Sequence, residues 1–301
     1  MSGTRVLITG GTGLLGKALL EATPSGWEIF ATHCRNQPPV EWESRFSPLD
    51  VRQRESVESL FAKIRPDWVI HTASIGSVDE AERNPDAVFA VNVAGTRNIG
   101  TACAQTGALL AHISSNAVFD GTDPPYHEAS LTRPANQYGT QKIEAEEWIR
   151  RHLSRFLIIR PILMYGWPFP GGRDNVVTRW LAHLEQGRTV PAAQDLFSMP
   201  LWVGNGAEAI WAAVSQGRQG IYHLAGADPL SLFQFAQETA RAFGLEERLV
   251  LPATHAELGL PAPRPQNTSF VTTKMEQELG VRPVGVREGL SIMQKSRLLT
   301  G

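Results

Sequence analysis

The sequence predicts an α/β protein: a doubly wound parallel sheet with a smaller, mainly helical C-terminal lobe. Three observations predict it. Short β-rich runs alternate with helical patterns over the first two thirds of the chain, the rhythm of parallel strands joined by crossover helices. The strand-like runs are apolar along their length, as strands buried on both faces are. Beyond Pro161 glycine and proline become dense, and the pattern turns to helices separated by loops.

Val6-Leu7-Ile8 form the heart of a first strand, Arg5 to Thr9, and the helical pattern of Leu14 to Ala22 follows it. Next come a strand from Glu28 to Thr32, a helix from Arg54 to Ile64 and a strand from Trp68 to His71. A long helix is expected from about Pro85 to Gln105, then a strand from Leu109 to Ser114, a helix from about Gln137 to His152 and a strand from Phe156 to Arg160. Gly166, Pro168, Pro170, Gly171 and Gly172 open the second lobe. Ala207 to Ser215 is apolar and helical and Ile221 to Leu224 is strand-like, so the chain is expected to return there to the main sheet. The expected division is a sheet-forming domain at 1–165, rejoined by about 205–226, and a second lobe at 166–204 and 227–301. Ser231 with Gln234 three residues on suggests a capping box for a helix from Leu232 to Phe243. Pro252, Pro261, Pro263 and Pro265 mark a rigid extended loop.

Composition narrows the function. The 301 residues carry 28 Lys and Arg against 30 Asp and Glu, without the cationic excess a nucleic-acid binder needs. Charged residues are 19% and hydrophobic residues 42%, which excludes a disordered or fibrous chain. Cys34 and Cys103 have no short paired spacing and the eight histidines lack metal-ligand intervals, so no disulfide framework and no metal site are expected. Met1 leads into the first strand without a long apolar segment and no later span suits a bilayer, so the expectation is a cytoplasmic protein without a membrane partner. The oligomeric state stays open, a homodimer included.

Thr9-Gly10-Gly11-Thr12-Gly13-Leu14-Leu15-Gly16 follows the first strand and opens the first helix, the context a dinucleotide fingerprint requires. Glycines at 10, 13 and 16 allow a tight turn and close approach to a pyrophosphate, met by free N–H groups and the positive end of the helix dipole; the sheet is then of the Rossmann type. At the end of the second strand, Thr32-His33-Cys34-Arg35-Asn36 offers no carboxylate to a ribose 2′-hydroxyl. Arg35, helped by His33, suits a 2′-phosphate, so NADP(H) is expected over NAD(H); the alternative is a solvated surface Arg, since no second Arg is adjacent in sequence.

Tyr138-Gly139-Thr140-Gln141-Lys142 is a Y-x-x-x-K pair, and residues four apart on a helix share one face. A neighbouring ammonium that favours phenolate would bring a phenol closer to the working pH, making Tyr138 a general acid toward a ketone oxygen, while Lys142 can hold the nicotinamide ribose. In His112-Ile113-Ser114-Ser115, Ser115 would give a second hydrogen bond to the carbonyl oxygen as charge develops, with Ser114 the neighbouring alternative.

In this order the motifs resemble the extended short-chain dehydrogenases, and in particular the group around dTDP-4-dehydrorhamnose reductase. The resemblance spans nearly the whole chain. It is carried by Arg65-Pro66-Asp67-Trp68-Val69-Ile70, Ser77-Val78-Asp79-Glu80-Ala81-Glu82, Val118-Phe119-Asp120-Gly121, Asn136-Gln137-Tyr138-Gly139 and, near the C-terminus, Arg264-Pro265-Gln266-Asn267-Thr268. It implies that Ser115 is the catalytic Ser, that Asn92 helps to position the lysine through water, and that Asp50 and Val51 on the adenine side and Thr72, Ala73 and Ser74 on the ribose side join Gly10, Thr12, Gly13, Leu14, Leu15 and Gly16 as cofactor contacts. The implied reaction is hydride transfer from NADPH to the 4-keto carbon of a nucleotide-linked deoxy sugar.

Departures bear on the substrate. Asn116-Ala117 stand where the rhamnose-forming enzymes typically carry Asp-Tyr, and Leu163 where they often carry a sugar-covering Trp. Asn116, Leu163, Asn175 and Arg264 are the candidate substrate contacts, Arg264 being as well explained by a loop packing on the main domain. Trp167, Phe169, Trp180, Phe197 and Trp202 read mostly as lobe core, with one or two available to stack on a base. Asn116-Ala117 cannot supply the acid and base of a 4,6-dehydratase, and the missing acidic residue after the second strand counts against a 4-epimerase. A rival from another class is an NADP-binding regulatory subunit resembling the methionine adenosyltransferase β subunit, since fold alone does not settle activity.

Overall fold

The computed structural model describes residues 3–300, with side chains to Arg297. Seven parallel strands form the central sheet: β1 (Arg5–Thr9), β2 (Glu28–His33), β3 (Phe46–Pro48), β4 (Trp68–His71), β5 (Leu109–Ile113), β6 (Phe156–Pro161) and, from much later in the chain, Gly220–Leu224. Between β6 and that last strand lie β7 (Met164–Tyr165), β8 (Val190–Ala193), β9 (Phe197–Ser198) and β10 (Leu201–Trp202), so Gly220–Leu224 is β11; β12 (Leu230–Ser231) and β13 (Val250–Ala253) follow. The sheet order is β11-β6-β5-β4-β1-β2-β3. The order reverses at β1, where β4 and β2 lie on either side, and a crevice opens there at the strands' carboxyl ends.

Burial on both faces explains the unbroken apolar runs. Val6, Ile8, Trp68, Ile70, Ala111, Ile113, Leu157 and Ile159 face one core with α1 (Leu14–Glu21) and, later in the chain, the helix Val203–Ser215. The intervening Leu7, Val69, Leu110 and Ile158 face a second core with α2 (Arg54–Ile64) and the helices that follow β4 and β5. A third core lies in the second lobe, among Val177, Trp180, Leu181, Phe235, Ala236, Ala240, Leu290 and Met293.

The single helix expected from Pro85 to Gln105 is three pieces. After α3 (Val78–Arg83), α4 (Pro85–Phe89) runs into a π-helical turn, Ala90–Gly95, and then α5 (Thr96–Thr106). The wider turn surrounds Asn92, whose side chain is drawn out of the helix by polar partners across the crevice. Then come α6 (Gln137–His152), α7 (Val176–Leu184), α8 (Val203–Ser215), α9 (Leu232–Ala242), α10 (Thr273–Leu279) and α11 (Val286–Thr300). Ser231 and Gln234 form both halves of the capping box on α9.

The prolines divide. Pro252 lies in β13, paired in parallel with β8, and not in the extended loop expected there. A two-stranded ribbon has only edge strands, where proline is tolerated. Pro261, Pro263 and Pro265 do lie in irregular chain. The ribbons β7·β10, β9·β12 and β8·β13 are the second lobe's other additions to the expected outline. No described helix is long and apolar enough to cross a membrane.

Candidate active site

The fingerprint forms a backbone cradle. Gly10 has φ +68°, and a Cβ there would lie 2.7 Å from the Ala73 backbone, so only glycine lets the loop lie against the end of β4. The loop is pinned by Gly11 N–H donating to Thr32 O at 2.8 Å and Gly13 N–H to Gly10 O at 2.9 Å. Thr72 spends its hydroxyl on Thr9 O, 2.6 Å away, fastening the two strand ends together. α1 starts at Gly13 with no side-chain cap and no acidic residue in its first turn, so its leading N–H groups and dipole face the crevice unopposed. This cradle fits a dinucleotide pyrophosphate.

At the end of β2 the tertiary structure adds a cation that sequence adjacency missed. Asp50 grips Arg52 through both carboxylate oxygens, with contacts of 2.6 to 3.0 Å. Arg52, then its own burial in opposition, and more weakly Arg35 set the Asp50 carboxyl, whose pKa lies below the usual range. Arg52 is bound to this carboxylate and Arg35 acts on it through its charge, while His33, the last residue of β2, carries a buried, unpartnered Nδ1. Their separation in sequence hid the pair; the signal was Asp50 itself, at the end of the neighbouring strand. Val51 is packed under Gly95, where a Cβ would meet its Cγ2 at 2.6 Å.

The chemical end is built by α6 and the ends of β4 and β5. Asn136 caps α6, accepting Gly139 N–H at 2.9 Å, and α6 sits so close to the turn after Ser115 that a Cβ on Gly139 would lie 2.0 Å from Ala117 O. That contact sets Tyr138 beside Ser115. Ala81, Val88, Ala117, Ile75 and Val78 enclose the phenol ring, so the segment Ser77 to Glu82 is a wall of the site. Lys142, 2% exposed, donates to Ile113 O at 2.9 Å and Ser74 Oγ at 3.2 Å, and its Nζ lies 5.6 Å from the Tyr138 ring centre. Asn92 Oδ1 accepts from Ser74 Oγ at 3.0 Å and Ile75 N–H at 2.8 Å, while its Nδ2 donates to Ile75 O at 3.1 Å. A link from Asn92 to Lys142 thus runs through the Ser74 hydroxyl.

Two serines part company here. Ser114 Oγ donates to Glu146 at 2.5 Å on the buried side, while Ser115 turns toward Tyr138, its hydroxyl also capping the short turn at Ala117 N–H, 3.1 Å away.

The electrostatics correct one sequence expectation. Burial pushes the Tyr138 hydroxyl above its ordinary value, opposed by Ser115, by the charge of Arg173 and by Ser74. Lys142, which was expected to acidify it, is itself lowered to about 8 by burial, with Glu146 opposing. Lys142 is directed at Ile113 O and Ser74 rather than at the phenolic oxygen, so Tyr138 is kept protonated.

The expected substrate residues are largely engaged within the chain. Asn116 Nδ2 donates to Thr268 Oγ1 at 2.7 Å, and Arg264 pairs with Asp79 at 2.8 Å. Asn136 Nδ2 holds Pro263 O at 3.0 Å, so residues 262–268 form a strap across the mouth of α6. Asn175 forms a capping box on α7 and donates to Gly166 O at 2.7 Å; Leu163 packs against the second-lobe core. Among the aromatic residues, Trp180 and Trp202 join that core, whereas Phe169 turns to Trp42 (6.2 Å) and to Lys17 Nζ (5.7 Å) on the fingerprint side. The residue that sequence reasoning passed over is Arg173. It is exposed, its Nη1 lies against Gly76 in the loop between β4 and α3, and it has no hydrogen bond or ion pair among the described residues. A cation directly after Gly171-Gly172 was the available signal.

Comparison with known proteins agrees with this arrangement. The family model described as the RmlD substrate binding domain matches residues 4–298. Methionine adenosyltransferase 2 subunit beta of Xenopus tropicalis is 30% identical over 300 residues, covering 96% of this chain and 87% of its own. The spore coat polysaccharide biosynthesis protein SpsK of Bacillus subtilis is 30% identical over 289 residues, covering 95% of each. Among solved structures, dTDP-4-dehydrorhamnose reductase of Bacillus anthracis in complex with NADP superposes with a TM-score of 0.85 at 26% identity, covering 98% of this chain and 99% of that one. Because that one family model spans residues 4–298, the parallel sheet, glycine cradle and Tyr138–Lys142 pair all lying within them, the chain belongs to the RmlD substrate-binding-domain family of extended short-chain dehydrogenases/reductases.

Proposed function

We propose that this protein is an NADPH-dependent reductase that transfers hydride to a keto group, the 4-keto carbon of a nucleotide-linked deoxy sugar being the substrate that the relatives favour. The observation that carries the reading is the convergence of Ser115, Tyr138 and Lys142 beside the glycine cradle at the strands' carboxyl ends. Residues 1–165 with about 205–226 hold the dinucleotide, and 166–204 with 227–301 close over the sugar.

When bound, the nicotinamide supplies the hydride. Ser115 Oγ and Tyr138 Oη hydrogen-bond the carbonyl oxygen, and Tyr138 gives it a proton as negative charge develops there. A phenol kept protonated by burial suits this direction. Lys142 holds the ribose and, through Ser74 and Asn92, is tied to the crevice wall. Arg35 and Arg52 bind the 2′-phosphate, which favours NADPH over NADH. Arg173 offers its free guanidinium to an anionic part of the substrate. The reading is of a cytoplasmic enzyme, alone or as a homodimer.

The test is NADPH oxidation with a panel of 4-keto nucleotide sugars. Turnover that falls at least about a hundredfold in Tyr138→Phe, with NADPH affinity unchanged, supports the reading. A second reading, an NADP-binding regulatory subunit, is favoured by the 30% identity to a methionine adenosyltransferase β subunit over nearly the whole chain. No turnover with any ketone, together with a stable complex with an adenosyltransferase catalytic subunit, would establish it instead.

A further inference from the structure

Tyr138 and Lys142 begin a longer row. Glu146, four residues beyond Lys142 on α6, lies on the same side of the helix and is 3% exposed. Its carboxylate accepts from Ser114 Oγ at 2.5 Å, from Arg160 Nε at 2.9 Å and from Arg160 Nη2 at 2.5 Å. Arg160, on β6, is 2% exposed and has its remaining Nη1 3.4 Å from His223 Nε2. Lys142 meanwhile donates to Ile113 O, the residue just before Ser114. α6 therefore grips the end of β5 with two charges in succession, its ammonium on Ile113 and its carboxylate on Ser114. The next residue along is Ser115.

We propose that Glu146 is the positioning residue of this site: its carboxylate keeps Lys142 charged and, through Ser114, holds Ser115 toward the reacting carbonyl. The catalytic consequence rests on the reductase reading.

Charge bookkeeping singles out Glu146. Lys142 is faced by Tyr138 and Glu146 from its own helix, by Ser74 and His71 from the β4 side, by the Ile113 carbonyl and His112 from β5, and by Arg160 from β6 behind the carboxylate. His71 and His112 are held neutral, first by burial and then by the charge of Lys142 itself. Glu146 is then the one anion in this set. Arg160 makes the buried carboxylate tolerable by satisfying it at both oxygens. Without Glu146 the ammonium would share a dry interior with neutral rings and a second cation.

A buried ion pair that merely braced the fold would change stability and leave the titration of Lys142 alone. The experiment is therefore a pH titration of the whole protein labelled with ¹³C at lysine Cε. The chain has five lysines, and the Lys142 signal is assigned by its loss in Lys142→Met. The wild-type midpoint is expected near 8. In Glu146→Gln it falls by about one unit or more, and Glu146→Asp, which restores a carboxylate, recovers most of the shift. Because Glu146→Gln leaves Arg160 unpaired and can fail to fold, Glu146→Gln/Arg160→Met removes both charges at similar volume, a change that buried pairs often tolerate. Its midpoint is expected to fall as well, by less, because loss of the more distant Arg160 cation offsets part of the loss of the carboxylate. An unchanged Lys142 midpoint in whichever of these variants folds overturns the proposal. The titration needs neither dinucleotide nor ketone, so a lowered midpoint in a protein without turnover would defeat the reductase reading and leave the charge relation between Glu146 and Lys142 standing.

Discussion

Asp50 shows how a single carboxylate can engage cations that are far apart in sequence. It follows the end of the neighbouring strand, holds Arg52 in a two-oxygen grip and sits within the field of Arg35, the two guanidinium groups that the proposed reading assigns to a 2′-phosphate. Arg35 was legible in the sequence because it occupies the place of the usual acidic residue. Arg52 was not, because its neighbour is created by the pairing of β2 with β3. Arg35→Ala/Arg52→Ala should weaken NADPH binding at least about tenfold and leave NADH binding unchanged, as read by titration calorimetry with each dinucleotide. Equal losses for both would show that the pair serves the loop rather than the phosphate. Tyr138 makes a different point at this scale. The Y-x-x-x-K spacing located the acid, but its protonation follows from how deeply α6 is buried, which no spacing records.

The π-helical turn Ala90–Gly95 is the element that departs most from expectation. A helical apolar pattern from Pro85 onward has no means of announcing an extra residue in one turn, since the partners of Asn92 are Ser74 and Ile75, 18 and 17 residues away in the chain. Asn92→Leu removes both partners of the Ile75 peptide group and should cost about 1–3 kcal/mol in urea unfolding, the cost of leaving part-buried backbone groups unpaired. Asn92→Asp keeps the acceptor for Ile75 N–H and Ser74 Oγ and should cost less. If the two variants are equally stable, the turn is held by helix packing and not by these bonds. The strap at residues 262–268 was marked in the sequence by its prolines and Arg264. That Arg264 would bind Asp79 in the segment walling Tyr138 was legible only as an alternative to substrate contact.

Over the whole molecule, buried imidazoles set the response to acid. His71 and His223 are lowered to about 3, by burial first and then by the cations Lys142 and Arg160 respectively, and His112 also lies well below its ordinary value. Each has an unfolded value near 6.5, so above that pH neither state binds the proton. Between 6.5 and about 3 the unfolded chain binds protons that the native one refuses, and stability falls as pH falls. Three such groups allow a slope approaching about 4 kcal/mol per pH unit, at about 1.4 for each. Thermal and urea unfolding between pH 7 and 5, above the range where carboxylates contribute, should show the loss; a flat profile would mean these rings are protonated in the native state. By itself the sequence determined the sheet, the glycine cradle and the Tyr138–Lys142 pair, because each is written in local spacing: apolar runs, a turn that needs glycine, and two residues one helical turn apart. Only the tertiary structure decided which polar groups are spent on one another, binding Arg264, Asn116 and Asn175 within the chain, holding Arg52 on Asp50, setting the charge of Arg173 near Tyr138 and burying Glu146 behind Ser114. The strength of a hydrogen bond or charge depends on what lies opposite and how dry the space between is, and those are properties of the packed fold.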